Sequence, residues 1–415
     1  MNVAVLLSGG VDSSLALALL SRKKGIALKA YYLKIWLEDE LAFLGDCPWE
    51  TDIAYARKTC EQFGVPLEIV PLQSEYREEI VEHALAELRL GRTPSPDIFC
   101  NQRIKFGAFY RRVADKCDKI ASGHYARIEE IAGQPHLRRA PDPVKDQTYF
   151  LSHLSQEQLA RILFPIGHLH KREVRMLAAE FDLPAKERKD SQGICFLGKI
   201  NYRDFVRFHL GEQTGDIVEK ASGEKKGEHQ GYWFYTIGQR HGLKLGGGPW
   251  YVIDKDATEN RLYIAHGEAT ERVGRRNLIA EHINWINSPP ALGALQVKLR
   301  HGPALASGQV QMLDADRAEI LLGEPDLGAG DPTHGRVVSQ GHRQTVQRPS
   351  ELDLIDRIIA THHDRDDGLV DAPCRHVEDG LRHGCRGHVE EPFELLDGTH
   401  VRCRVFFERV RCTRR

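Results

Sequence analysis

The chain has 415 residues, 41% hydrophobic and 28% charged, with a net charge of −2. That length exceeds an ordinary single domain, and the composition is that of a globular protein rather than a disordered or collagen-like one. No run approaches the ~18 consecutive apolar residues of a membrane span. The start of the chain has neither a basic n-region nor a cleavage site, so no signal peptide is read. Nine scattered cysteines, odd in number and with no C-x-x-C pair, fit a reduced cytoplasmic protein better than a disulfide scaffold or zinc ribbon.

Residues 3–7 form a continuous apolar run, the pattern of a central parallel strand. A turn at 8–14 leads into a buried helix at 15–20. A strand follows at 27–36, a helix at 49–63 and a strand at 67–72. An amphipathic helix at 75–90 carries Ile80, Ala84, Leu85 and Leu88 near one face. This alternation predicts an α/β fold with a doubly wound parallel sheet. Pro94 and Pro96 argue for a loop over 91–101, with a helix resuming at 103–113 and a short strand near 119–124. Residues 156–182 read as largely helical, broken at Pro165, and 186–196 as a loop.

After Gly211 glycines become frequent and short β-type runs appear, which predicts a small β-rich region followed by a β-barrel. No lysine follows Lys298, and neither Trp nor Tyr follows Trp285. The last 85 residues hold eight histidines and fourteen arginines with little periodicity, a pattern of disorder or poor packing. The expected division is 1–208 α/β, 209–272 central and β-rich, 273–327 barrel-like and incomplete, and 328–415 a divergent, disordered tail.

Three strings carry chemistry. In Ser8-Gly9-Gly10-Val11-Asp12-Ser13-Ser14, two glycines allow a tight turn and close ligand approach. The following helix start offers free N–H groups to an anion. Asp12 suits a magnesium ion or a helix cap. The Gly-Lys-Ser/Thr ending of a Walker A loop is absent. Cys100 lies where a Pro-rich loop meets a helix, with Arg103 and Lys105 close by, a setting expected to lower a thiol pKa. Cys195 lies in a second loop, with Lys186, Arg188 and Lys189 upstream. Two such cysteines suit a pair that shuttles sulfur, one carrying a persulfide and the other resolving it. Cys47, Cys60 and Cys117 read as structural. His124 and His229 fit backbone or phosphate contacts better than general-base roles. The tail histidines and cysteines match no zinc spacing, so no metal ligand set is assigned.

The first string resembles the PP-loop of the N-type ATP pyrophosphatases, which cleave ATP between the α- and β-phosphates and adenylate a carbonyl oxygen. All three strings together, with Ala121-Ser122-Gly123-His124-Tyr125-Ala126-Arg127, Lys145-Asp146-Gln147-Thr148, Gly227-Glu228-His229-Gln230-Gly231 and Thr236-Ile237-Gly238-Gln239-Arg240, resemble the bacterial tRNA 2-thiouridylase family over roughly residues 1–325. The likeness fades after Pro325.

The resemblance implies ATP as substrate, Mg²⁺ as its companion ion, tRNA as the acceptor, and a persulfide donor such as a cysteine desulfurase or relay protein. It implies that Leu6, Leu7, Ser8, Gly9, Gly10, Val11, Asp12 and Ser13 hold the phosphates, with Leu33 on the adenine and Gly123 lining the site. Cys195 would take sulfur as a persulfide, and Cys100 would free it and become disulfide-bonded to Cys195. Ser95, Pro96 and Asp97 would meet the target base, with Asp97 positioning it. Lys145, Asp146, Gln147, Arg300 and His301 would touch tRNA. Two other readings stay open. One is a PP-loop amide or amidine ligase, which needs neither cysteine. The other is a tRNA-binding protein with impaired turnover.

Overall fold

In a computed structural model of the chain, the described residues are 1–35, 49–190, 201–267, 274–287, 293–302, 304–315, 317–326, 390–394 and 400–404. The chain forms two compact units, 1–342 and 343–415. Five strands build the first sheet: β1 (Asn2–Leu6), β2 (Ala27–Lys34), β3 (Leu67–Pro71), β4 (Lys119–Ala121) and, after β5 (Ala126–Ile131) and β6 (Gln134–Arg139), the two-residue β7 (Ile162–Leu163). Their order is β3-β2-β1-β4-β7 and every pairing is parallel, as the α/β alternation predicts. Strand β1 is apolar on both faces because layers cover both. Ala4 and Leu6 enter one buried cluster, and Val3 and Val5 the other.

The helix Val11–Ser21 is buried almost all round, and its small residues let it lie close to the sheet. Ser14 satisfies its buried hydroxyl against Thr59, at 3.3 Å. Two sequence expectations need correction. Residues 91–101 are not all loop, since a helix starts at Pro96 and runs on from Phe99 as the wider turns of Cys100–Ala108 and then Phe109–Val113. Proline is tolerated at the first helical position because that N–H has no intrahelical partner to lose. The stretch 156–182 is also less helical than expected. Helix Gln156–Leu159 gives way to β7, and Lys171–Glu180 forms a second helix. A two-residue strand is too short to leave a period in the sequence.

A second sheet has the order β10-β11-β8-β9, from β8 (Gly215–Glu219), β9 (Lys225–His229), β10 (Trp250–Asp256) and β11 (Arg261–His266). A third is antiparallel, β12-β15-β14-β13, from β12 (Arg275–Glu281), β13 (Gly293–Val297), β14 (Ala306–Met312) and β15 (Arg317–Asp326). Among the described residues β12 and β13 do not pair with each other, so this sheet is not closed into a barrel. In the second unit, β16 (Glu390–Glu394) pairs antiparallel with β17 (His400–Arg404). The rest of the tail expected to be disordered lies outside the described residues.

A buried charge cluster ties the third sheet to the first domain. Asp146 is 1% exposed, and so is Lys298, immediately after β13. The Lys298 ammonium lies 3.2 Å from Asp146 Oδ2, and Arg139 Nε donates to the same oxygen at 3.1 Å. The Ala140 N–H and the Thr148 hydroxyl complete the carboxylate's hydrogen bonds, at 3.2 and 3.0 Å. Removing one partner of such a pair strands a charge in low dielectric, at about 3–5 kcal/mol, whereas replacing both with apolar groups is far milder. Asp146→Asn and Lys298→Met should therefore each lower unfolding free energy by about 3–5 kcal/mol. The double variant Asp146→Leu/Lys298→Met should lose less than the sum in chemical denaturation. Strict additivity would show that the two groups act independently.

Candidate active site

The strand order reverses between β1 and β4. In open α/β sheets this is where a crevice opens at the carboxyl ends of the strands. The segment Leu6–Ser13 leaves β1 there, and Gly123 leaves β4 opposite it. The two backbones are in close contact, for a Cβ on Gly123 would fall 2.7 Å from the Ser13 nitrogen. Gly9 has φ +76°, and a Cβ on it would fall 2.2 Å from the Asp52 carbonyl oxygen. Both glycines are thus required by space, and Gly9 also by its left-handed backbone.

The loop is internally braced. Ser13 Oγ accepts the Ser8 N–H at 3.2 Å and donates to the Gly10 carbonyl at 3.1 Å. Asp12 is not the helix cap, since Gly10 occupies the N-cap position. Its Oδ1 instead accepts the Tyr125 hydroxyl at 2.8 Å and the Lys171 ammonium at 2.7 Å. Leu6 and Leu7 are buried in the core, and the Leu7 N–H donates to the Tyr31 carbonyl at 2.9 Å, so the pair anchors the loop to β2. Leu33 stands near the carboxyl end of β2, partly buried.

Lys171 opens the helix Lys171–Glu180 and bridges two carboxylates, with Asp190 Oδ1 2.8 Å away on the far side from Asp12. Asp190 also receives Lys145 at 2.7 Å and the Arg175 guanidinium. Burial pushes the Asp190 carboxyl up, but the Lys145 and Lys171 ammonium groups outweigh it and hold it at about 2. Burial, reinforced by Asp12, pushes the Tyr125 phenol far above its ordinary range, so it remains a donor. Arg188 donates to the Gly9 carbonyl at 2.9 Å, pairs with Asp52 and lies over the Tyr55 ring. Sequence reading missed Lys171, Arg175 and Asp52, and gave Tyr125, Arg188 and Asp190 no individual role. Lys171 and Asp12 are 159 residues apart, and no local spacing announces their contact.

Lys145, Asp146 and Gln147 point to three different places. Lys145 joins the Asp190 cluster. Gln147 Oε1 accepts the Tyr125 N–H at 2.9 Å, one residue's length from the Asp12 contact. Asp146 is turned inward onto Lys298 and Arg139, and its carboxylate is sealed from solvent. Nothing in its neighbours' sequence distinguishes an inward Asp from an outward one.

Ser95 precedes the helix at Pro96, and Asp97 lies in its first turn. Cys100 is fully buried one turn later. Arg103 donates to the Glu79 carbonyl at 3.0 Å and lies over the Phe99 ring, and Lys105 donates to Asn101 at 3.0 Å. Asn101 in turn donates to the Phe150 carbonyl at 3.0 Å. The Phe150 ring packs against His301, with centroids 4.6 Å apart. Burial and the Lys298 charge hold the His301 imidazole below its ordinary value against the pull of Asp146 and Asp97. The structure therefore brings His301 and the Asp97–Cys100 turn to one place, while Arg300 pairs with Asp326. Cys195, and its pairing with Cys100, lie outside the described residues, as does Cys47.

Cys60, Cys117, His124 and His229 sit in structural settings. Burial pushes the Cys60 thiol up to about 11, and it raises Cys117 as well, which keeps both protonated and unreactive. His124 lies 2.8 Å from the Ser122 hydroxyl, and burial drives its imidazole well below its ordinary value. His229 Nδ1 accepts the Gly231 N–H at 3.0 Å.

Residues 1–199 match a family described as the tRNA methyl transferase HUP domain. Residues 203–266 match the tRNA methyl transferase PRC-barrel domain, and 275–330 the aminomethyltransferase beta-barrel domain. The tRNA-specific 2-thiouridylase MnmA 2 of Bacteroides fragilis is 44% identical over 342 residues, 81% of this chain and 96% of that protein. MnmA 1 of Bacteroides thetaiotaomicron is 44% identical over 82% of this chain and 96% of its own length. MnmA of Porphyromonas gingivalis is 47% identical over 64% of this chain and 73% of its own. With a braced glycine loop at the switch point of a parallel sheet, and two relatives matched over 96% of their length, the chain belongs to the family of tRNA-specific 2-thiouridylases, MnmA.

Proposed function

We propose that the chain is an ATP-dependent tRNA sulfurtransferase that converts the wobble uridine to 2-thiouridine. The single observation that carries this reading is the crevice between β1 and β4. There a glycine loop with a helix start, Asp12 in its first turn, faces Lys171, a setting for polyphosphate. The uracil C2 oxygen attacks the α-phosphorus of ATP, diphosphate leaves, and an O-adenylated uridine forms. A Cys195 persulfide carries the sulfur. The Cys100 thiolate attacks the Cys195 sulfur, the Cys100–Cys195 disulfide forms, and hydrosulfide leaves. Hydrosulfide adds to C2, AMP departs with the former C2 oxygen, and a proton is lost. A dithiol reductant then restores both thiols and a donor persulfide reloads Cys195.

Mg²⁺ in such a site would offset charge across the phosphates. Asp12 fits as its protein ligand, because only its Oδ1 is engaged within the described residues. Lys171 exchanges its carboxylate partners for the leaving phosphates, Tyr125 keeps Asp12 oriented, and Arg188 fixes the Gly9 peptide. Asp97 holds the extruded base, which must leave its stack to be reached.

Incubating the protein with tRNA, ATP, Mg²⁺ and a persulfide donor should yield 2-thiouridine by nucleoside mass spectrometry, with one AMP per thiolated base. Absence of both products would overturn the reading. Cys100→Ser and Cys195→Ser should each abolish thiolation, and undiminished turnover in both would favour an amide- or amidine-forming ligase instead. Lys171→Met should slow AMP formation roughly 10²–10³-fold, the usual effect of removing one transition-state charge partner. An unchanged rate would exclude Lys171 from the phosphate site.

A further inference from the structure

The central domain carries a cavity that neither ATP cleavage nor sulfur transfer uses. Its volume is about 230 Å³ and its walls include Arg240, His241, Lys244, Pro249 and Trp250, with no acidic side chain among them. Arg240, His241 and Lys244 are exposed. Among the described residues none of these three side chains has an ion-pair or hydrogen-bond partner. The cations around Asp12 and Asp190, by contrast, are all paired. Unpaired positive charge over a concave wall concentrates anions.

The backbone presents this charge at some expense. Lys244 has φ +55°, in the left-handed region where glycine and asparagine are at ease and lysine is not. Its neighbours Leu243 and Leu245 pack into the main hydrophobic cluster, which turns Lys244 outward between them. A lysine kept in such a conformation contributes something other than stability. Trp250 forms the aromatic wall. Its indole N–H donates to the Gly246 carbonyl at 2.9 Å, and its ring meets His266 edge-on at 5.2 Å, so its orientation is fixed.

The chain just before the cavity also touches the segment that precedes Ser95. Thr93, two residues before Ser95, donates to the Thr236 hydroxyl at 3.3 Å. A Cβ on Gly238 would lie 3.8 Å from the Arg300 guanidinium. The segment that leaves Thr236 passes Arg300 and reaches Arg240 within four residues. Cations and a fixed aromatic face are the two elements that grip an RNA strand without reading its sequence.

The geometry points to the 240–250 loop as a second RNA contact, with Arg240 and Lys244 on phosphates and Trp250 stacked on a base or ribose of the tRNA delivered to Asp97. This rests on the tRNA reading above. The test is binding of an unmodified tRNA transcript to the full chain from about 0.05 to about 0.3 M salt. Wild type is compared with Arg240→Gln, Lys244→Gly and Trp250→Leu. Each charge variant should raise Kd roughly tenfold at about 0.1 M salt and reduce the slope of log Kd on log salt by about 1. Trp250→Leu should raise Kd with the slope unchanged. Lys244→Gly relieves the left-handed backbone, so its Tm should equal or exceed that of wild type while its affinity falls. Charge variants with wild-type Kd and slope would overturn the assignment, as would a loss of affinity in Lys244→Gly that only follows a fall in Tm. A wild-type chain that binds no tRNA would overturn the tRNA reading and this inference with it, whereas intact wild-type binding with unaffected variants would overturn this inference alone.

Discussion

The position of β1, hydrogen-bonded on one side to β2 and on the other to β4, is the constraint on which the site depends. The chain leaves β1 in one direction and returns on the other side. The connections therefore diverge above its carboxyl end and leave a gap that a ligand can enter. Gly123 closes the floor of that gap by backbone contact with Asp12 and Ser13. A side chain at either surface of contact would push the loop away from β4, and the loop would lose its shape.

Charge is organised in two layers that serve different ends. Around the loop, Lys171, Lys145, Arg175 and Arg188 are held by Asp12, Asp190 and Asp52, all partly open to solvent and able to exchange partners. Behind it, Asp146 and Lys298 are sealed from water and fix one domain against another. The first arrangement suits a site that must accept a polyanion, because each cation already lies within reach and needs only a change of partner. The second suits a joint, since its partners have nowhere else to go.

The glycine loop after β1 was legible because its geometry is local. Strand, two glycines, hydroxyls and helix all fall within a dozen residues, and each has a physical task there. The parallel sheet was legible for a related reason, since strands covered on both faces lose the polar alternation of a surface strand. Pro96 misled because proline reads as a helix breaker unless the helix start is known. β7 escaped because two residues carry no period. Lys171, Asp190 and Asp52 escaped because their roles come from contacts across the fold. The inward turn of Asp146 escaped for the same reason, since its partner Lys298 lies 152 residues away. The depth of Cys100 was invisible, as burial is a property of neighbours rather than of the residue.

Lys298 is the last lysine of the chain, and its ammonium is sealed against Asp146. From residue 256 onward the folded protein therefore presents no reactive amine. Acylating reagents and lysine-modifying enzymes find no target on the third sheet while the joint holds. The sheet becomes chemically visible only when it parts from the catalytic domain, so Lys298 is a native reporter of that separation, silent in the assembled fold and reactive once the carboxylate is gone.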